Sequence, residues 1–240
     1  MKLFKLLVFI LVVFSLVASS CTKECDCCPP QTETKTLTTQ PGPNDGQDCL
    51  VIYRETDGNL AANSNNNLNP DFVASRWSYN AEGAGNGTSR AYIKFPDVST
   101  ISSAAVVKSA KLSLYGRPTG AAITHGNSYY PGSPFASFGD NACWLKLVTG
   151  DWDETTIKWT NKPSTTDANQ VEVPFSTSQF NFDVIDLDVT KLVKEMVVSG
   201  QNYGFCLQLK TEELYRSLMF STSENTEASK RPKLVVVYEE

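Results

Sequence analysis

The chain offers few kinds of side chain for bond-breaking chemistry. His125 is its single histidine, which excludes metal centres built on two or three imidazoles. A serine nucleophile would have to rely on that same histidine, and no Gly-x-Ser-x-Gly turn is present to raise one. Acids are plentiful, 26 in all, so carboxylate pairs of the kind that hydrolyse glycosidic bonds exist, but spacing singles none out. The Tyr, His, Arg and Lys of sandwich-fold lyases are present without a pattern. No catalytic residue is therefore expected. Residues suited to holding a ligand are better marked. In Ser89–Phe95 the side chains of Arg90, Tyr92 and Lys94 alternate with Ala91, Ile93 and Phe95, so the first three share one strand face. Lys111 and Tyr115 alternate in the same way along the next such segment and would join that face if the two strands pair. Aromatic rings stack on sugars, and Arg and Lys pair with carboxylates such as those of uronates. The long segment from Gly116 to Asn141 adds His125, Tyr129, Tyr130, Phe135 and Phe138. A stretch of this length without regular structure is usually functional or disordered, and its aromatics form either a stacking platform or a satellite core. The expected ligand-binding set is Arg90, Tyr92, Lys94, Lys111, Tyr115, Tyr129 and Tyr130.

Strand patterns dominate what must position these residues. Beyond 89–95 and 110–115, strands are expected over 145–148, 155–159, 203–209, 218–221 and 234–238, separated by clusters of Gly, Pro, Asn and Asp. Their inward residues predict a core of Ala91, Ile93, Phe95, Ala110, Leu112, Leu114, Ile157, Trp159, Phe205, Leu207, Leu209, Phe220, Leu234 and Val236. One helix is predicted over 190–199, where Leu192, Val193, Met196 and Val197 recur at helical spacing. Asp188 or Thr190 would cap its start and Gly200 its end. The fold class is all-β, an antiparallel two-sheet sandwich with one short helix.

The N-terminal region reads differently. Residues 1–20 have the lysines and short apolar run of a signal peptide, too short to span a bilayer. Val17-Ala18-Ser19-Ser20-Cys21 resembles a lipobox, which implies cleavage before Cys21 and its lipidation, so the membrane is engaged through a lipid anchor only. Residues 21–47, rich in Cys, Thr, Gln and Pro, are expected to form a disordered tether, and residues 48–240 a single domain. Removing Lys2 and Lys5 from the 21 basic residues leaves 19 against 26 acidic, a net charge of −7. Such a protein does not suit nucleic acid, which needs a basic face. Seven cysteines are present; Cys25, Cys27 and Cys28 lack the spacing of a zinc clip. Cys143 and Cys206 are either buried small hydrophobes or a bridge. No cofactor is expected. A structural calcium would find oxygens in the 63–71 stretch or at Asp183, Asp186 and Asp188.

One motif is more specific than any of these. Trp152-Asp-Glu154-Thr-Thr-Ile157-Lys-Trp159-Thr-Asn161-Lys-Pro163 resembles the central motif of DNRLRE-type domains, grouped with the disaggregatase-related and family 96 carbohydrate-binding modules. Tyr92-Ile-Lys-Phe95 with Val107–Leu114, Asp186–Thr190 with Asn202-Tyr203-Gly204-Phe205, and Phe220-Ser221, Glu224 and Arg231-Pro232 resemble other pieces of that family in its order. Met196 stands where members often carry Trp, and residues 117–141 do not align. The resemblance implies a jelly-roll-like sandwich serving as an accessory module on surface or secreted polysaccharide-handling proteins, some of which bind acidic polysaccharides. The function expected is a surface-anchored, non-catalytic polysaccharide-binding module, exported to the outer membrane or cell surface. The alternatives are a structural or adhesive surface protein, and a polysaccharide lyase or glycoside hydrolase.

Overall fold

The computed structural model describes residues 32–55, 68–80 and 85–240. The expected leader, the lipidation expected at Cys21 and the Cys25–Cys28 cluster fall outside the described residues, as do residues 63–67.

Eleven strands and one α-helix are present among the described residues: β1 (Thr34–Thr39), β2 (Gln47–Arg54), β3 (Asp71–Ser78), β4 (Asn86–Lys94), β5 (Val106–Leu114), β6 (Cys143–Val148), β7 (Thr165–Val173), β8 (Val184–Asp188), α1 (Thr190–Ser199), β9 (Phe205–Leu209), β10 (Arg216–Ser221) and β11 (Lys233–Glu239). They form two antiparallel sheets. One runs β1-β11-β5-β8, the other β10-β3-β4-β9-β6-β7, with β2 paired to β4. Strand β4 is the hub. β3 pairs with its first half, β9 with its second, and β2 with its whole length from Gly87 to Lys94.

The alternation seen in the sequence explains the layers. Ala91 and Ile93 of β4 point into a core with Phe72 and Ala74 of β3, Leu145 of β6, and Phe205, Leu207 and Leu209 of β9. From the other sheet come Leu112 and Leu114 of β5 and Leu234 and Val236 of β11. Phe95 meets Phe205 edge-on at 6.4 Å. Burying such side chains contributes roughly 1.5–3 kcal/mol each. Leu192, Val193, Met196 and Val197 of α1 enter the same core. The helix begins where Asp188 Oδ1 accepts the Thr190 amide at 3.0 Å. Thr190 Oγ1 in turn accepts the Ala110 amide of β5 at 2.9 Å. It ends at Gly200, which takes the left-handed conformation at φ 67°. The fold class and the helix bounds match the sequence expectation.

Three expectations are corrected, and one open alternative is decided. Residues 34–39, placed in the tether by composition, form β1 along β11, with Leu37 opposite Val236. Threonine-rich sequence is polar yet β-branched, which suits a strand at a sheet edge. Residues 155–159 are not a strand. Asp153 Oδ1 accepts the Thr155 amide at 2.9 Å and its carbonyl accepts the Ile157 amide at 2.9 Å. Asn161 closes the same turn, accepting from Lys158 N and donating to the Thr156 carbonyl. Short polar side chains satisfy the backbone here in place of a ladder. Asn161 thus fixes the turn, and Glu154 fastens it to β2 by accepting the Asp48 amide, while Ile157 and Trp159 leave the sandwich core for a second cluster with Trp152 on the outer face. Third, β4 and β5 lie in different sheets, so Lys111 and Tyr115 do not extend the face of Arg90. Of the two readings left open for Cys143 and Cys206, the structure shows buried thiols and no bridge. Cys143 packs in the main core and Cys206 in the outer cluster, on opposite sides of the sheet, and both are free thiols.

The Asn202-Tyr203-Gly204-Phe205 motif has a steric purpose. Gly204 holds φ +77°, and a Cβ there would lie 2.1 Å from the Ile93 carbonyl oxygen. Its own carbonyl accepts the Val148 amide, so it cannot back away. Gly204→Ala is expected to lower unfolding stability by roughly 2–3 kcal/mol, measured by urea denaturation; an unchanged midpoint would contradict the steric reading.

Candidate functional site

The outward residues of β4, β9, β6 and β7 line up in cross-strand rows. Ala91 opposes Leu207 and Trp144 opposes both Gln208 and Glu172. Arg90, Gln208, Trp144 and Glu172 therefore form one row across four strands. Arg90 donates from Nε and Nη2 to the two carboxylate oxygens of Glu212, at 2.9 and 3.1 Å. Its guanidinium lies 5.1 Å from the centre of the Trp159 ring. Lys162 Nζ approaches the same indole at 4.1 Å, and Tyr53 meets it at 5.8 Å. At the other end of the row Lys210 Nζ sits 4.7 Å from the Trp144 ring centre and donates to Glu172 at 2.7 Å. Lys146, beside Trp144, pairs with Asp167 at 2.7 Å. Two half-exposed indoles, four cations and an amide thus share one open sheet face. Each indole has a cation over it, a contact worth ~0.5–1 kcal/mol when exposed. Exposed lysine pairs such as Lys210–Glu172 contribute little to stability and are available to a ligand at small cost, whereas the bidentate, part-buried Arg90–Glu212 pair is held more firmly.

The sequence candidates distribute unevenly over this geometry. Arg90 belongs to the row. Tyr92 points the same way but is only 1 % exposed. It is covered by Trp152, whose ring meets it edge-on at 5.8 Å and whose Nε1 donates to the Tyr203 carbonyl at 2.8 Å. Burial pushes the Tyr92 hydroxyl far above its ordinary pKa. Lys94 pairs with Asp151 at 3.2 Å. On the other sheet Lys111 pairs with Asp188 at 2.8 Å, holding that carboxylate well below its usual range, and Tyr115 lies near Lys230. The residues that complete the row, Trp144, Gln208 and Lys210, were legible in principle. Cys143-Trp-Leu-Lys-Leu-Val148 alternates with the same period of two, and its outward members are Trp144 and Lys146.

The 116–141 segment folds as a second aromatic assembly. His125 stacks on Trp77 of β3 with ring centres 3.4 Å apart. Phe135 and Tyr215 meet Trp77 edge-on, and Phe138, 45 % exposed, covers Tyr215. Of the two tyrosines expected to bind, Tyr129 packs on Phe175 and its carbonyl accepts Ser176 Oγ; Tyr130 is half-buried. The segment is pinned to the sheet by Asn127, which accepts the Met219 amide at 2.8 Å and donates to the Ser178 carbonyl.

Nucleophile chemistry is poorly served. His125 Nε2 stands 3.2 Å from Ser217 Oγ, but Ser217 is buried and donates to the Gly126 carbonyl at 2.7 Å. Burial lowers the His125 pKa to about 4, so the ring is neutral at physiological pH. Burial also raises the Cys206 thiol to about 11, leaving it protonated. The acids considered for calcium are engaged elsewhere. Asp71 is buried against Arg117 at 2.9 Å and the amides of Ala121 and Ala122. Asp183 accepts the Gly116 amide and Asp188 holds Lys111. Among the described residues no group of three or more His, Cys, Asp and Glu is gathered as a ready metal centre.

The fold is thus a β-sandwich with an open face of indoles, amide and cations. The model of carbohydrate-binding module family 96 matches residues 136–238, so this part of the chain is similar to the modules of that family. The match spans Trp144, Trp159, Lys162, Glu172, Gln208, Lys210 and Glu212, while Arg90 reaches the face from outside it. A comparison with the curated proteins finds no match.

The single histidine gives a direct check of the aromatic assembly. Its pKa is depressed from 6.5 to about 4, so the folded state binds fewer protons than the unfolded one between those values. Its contribution to stability is whole above pH 6.5, falls as pH drops below that, and is lost below about 4. The ring resonances in a proton NMR titration are expected to show a midpoint near 4; a midpoint near 6.5 would mean the Trp77 stack is absent in solution.

Proposed function

We propose that this protein is a surface-anchored, non-catalytic module that binds polysaccharide, preferentially acidic, along the outer face of the seven-stranded sheet. The observation that carries this reading is the Arg90–Gln208–Trp144 row with Trp159 beside it. Indole faces stack on sugar rings, Gln208 can donate to and accept from hydroxyls, Arg90 and Lys210 can exchange their present carboxylate partners for those of a uronate, and Lys162, which donates to the Trp159 carbonyl, can turn to one as well. An open sheet admits a long chain, which a deep cleft would not. The net negative charge of the whole protein favours local rather than general attraction, so binding to a polyanion depends on this one cationic face. The Lys2, Lys5 and Cys21 pattern and the Thr- and Pro-rich segment up to residue 31 support lipid anchoring with a short spacer at the outer membrane or cell surface.

The test is affinity electrophoresis of the full chain in gels containing a polyuronate or a neutral glucan. Retardation by the polyuronate is expected, weakening as salt rises from tens to hundreds of millimolar. Trp144→Ala and Trp159→Ala should each weaken binding roughly 3–10-fold, with Arg90→Ala reducing the salt dependence. Retardation by neither polymer would end the reading. Release of reducing ends or unsaturated uronates by the protein would replace it with the enzymatic alternative.

A further inference from the structure

The 116–141 segment borders a second opening in the surface, apart from the cationic row. A pocket of about 150 Å³ lies between this segment and the end of β3, with Trp77, Ser78, Tyr79, Thr124 and His125 in its lining. Several features hold it in shape. Gly87 of β4 stands opposite both Arg54 of β2 and Trp77 of β3. A Cβ at Gly87 would lie 2.6 Å from the Tyr79 ring, so the missing side chain is what seats that ring. The Arg54 guanidinium lies 4.6 Å from the centre of Tyr79. His125 stacks on Trp77, and Tyr215 meets the same indole edge-on at 5.4 Å. Tyr215 does so from a φ of 63°, a backbone conformation that a bulky residue keeps only where its surroundings enforce it.

The polar atoms of the pocket are not used up by the fold. Ser217 Oγ donates its hydrogen to the Gly126 carbonyl, so at His125 it accepts, from Nε2 at 3.2 Å. The imidazole therefore carries its proton on Nε2 and keeps Nδ1 as a bare acceptor. Ser78 Oγ accepts the Asn80 amide at 3.4 Å and keeps its hydrogen to donate. Thr124 is exposed, and its hydroxyl makes no hydrogen bond among the described residues. Among those residues no acid, lysine or arginine lines the space.

We propose that this pocket is a second binding site, which takes one uncharged sugar ring at the end of a glycan chain. A pyranose has apolar C–H faces and a rim of hydroxyls, each able to donate and accept. Trp77 and Tyr79 suit the faces, while Ser78, Thr124 and His125 Nδ1 suit the rim. A uronate would find no cation in the lining to pair with. The volume, that of roughly five waters, admits a single ring, so the pocket reads an end where the open row reads a length. Tyr53 and Arg54 are consecutive in β2 and point to opposite sides of the strand. Tyr53 touches Trp159 of the row and Arg54 touches Tyr79 of the pocket, which makes the two sites separate. The inference shares with the proposed function the premise that glycans are ligands, but it does not depend on the sheet face.

The single histidine is the reporter. Proton NMR of the full chain near neutral pH is followed while methyl glycosides of glucose, galactose, mannose and glucuronic acid are each added to tens of millimolar. At least one neutral glycoside is expected to shift the His125 ring resonances saturably, and the glucuronide to leave them in place. Thr124→Val, exposed and close in shape, should weaken binding of that neutral glycoside roughly 3–10-fold, whereas Trp144→Ala should leave it unchanged. Resonances unmoved by all four probes would overturn the proposal. So would a shift that Thr124→Val does not weaken, or one that Trp144→Ala removes. An equal shift with the glucuronide would overturn the assignment of an uncharged ring. Retardation of Thr124→Val by polyuronate is expected to match that of the unaltered chain; its loss would mean that pocket and row are one site and would likewise overturn the proposal.

Discussion

Strand β4 is the constraint on which the rest depends. Its two-residue period sends Ala91 and Ile93 into the sandwich and Arg90, Tyr92 and Lys94 to the other side. Because β2, β3 and β9 all register against it, a slip of one residue would turn every neighbour inside out. The inner face closes the core against β5 and β11. The outer face is divided. Toward Lys94 it is roofed by Trp152 and the signature turn, and toward Arg90 it stays open. One strand thus sets both the hydrophobic layer and the surface available to ligand.

The open part of that face combines charge with aromatic area in a protein whose overall charge is negative. Three of the four cations are compensated locally, Arg90 by Glu212, Lys210 by Glu172 and Lys146 by Asp167, while Lys162 donates to the Trp159 carbonyl. Such compensation keeps long side chains extended over the indoles in the absence of ligand. On the proposed reading, an acidic polysaccharide would gain at these three cations only by exchanging one carboxylate for another, which favours modest affinity and sensitivity to ionic strength. The matched family segment supplies most of the face, and the earlier strand contributes the arginine that ends it.

Polar groups inside the structure serve a second purpose, the fastening of irregular segments to the sheets. Asn127 and Asn141 tie the aromatic segment to β10 and to Ser176. Asn202 donates to the Phe95 carbonyl at 2.8 Å, beside the strained Gly204. Glu154 ties the tryptophan turn to β2. Asn202 Oδ1, like Asp48 Oδ1 on β2, is buried without a hydrogen-bond partner.

Much of the architecture was open to reading in the chain itself. Period-two alternation marked β4, β5, β9, β10 and β11, helical spacing with Gly200 marked α1, and the tryptophan motif pointed to the glycan-binding family. These are local signals, each a consequence of which side of a strand or helix meets water. The tertiary structure alone decided three things. It placed β4 and β5 in separate sheets, so that Lys111 and Tyr115 lie apart from Arg90, because pairing depends on contacts distant in sequence. It turned Thr155–Trp159 into a capped turn, since hydrogen bonds from Asp153 and Asn161 outweighed β-branched propensity. It drew the polar segment Thr34–Thr39 into a sheet, because β11 offered an unpaired edge whose backbone groups an otherwise unstructured threonine run could satisfy.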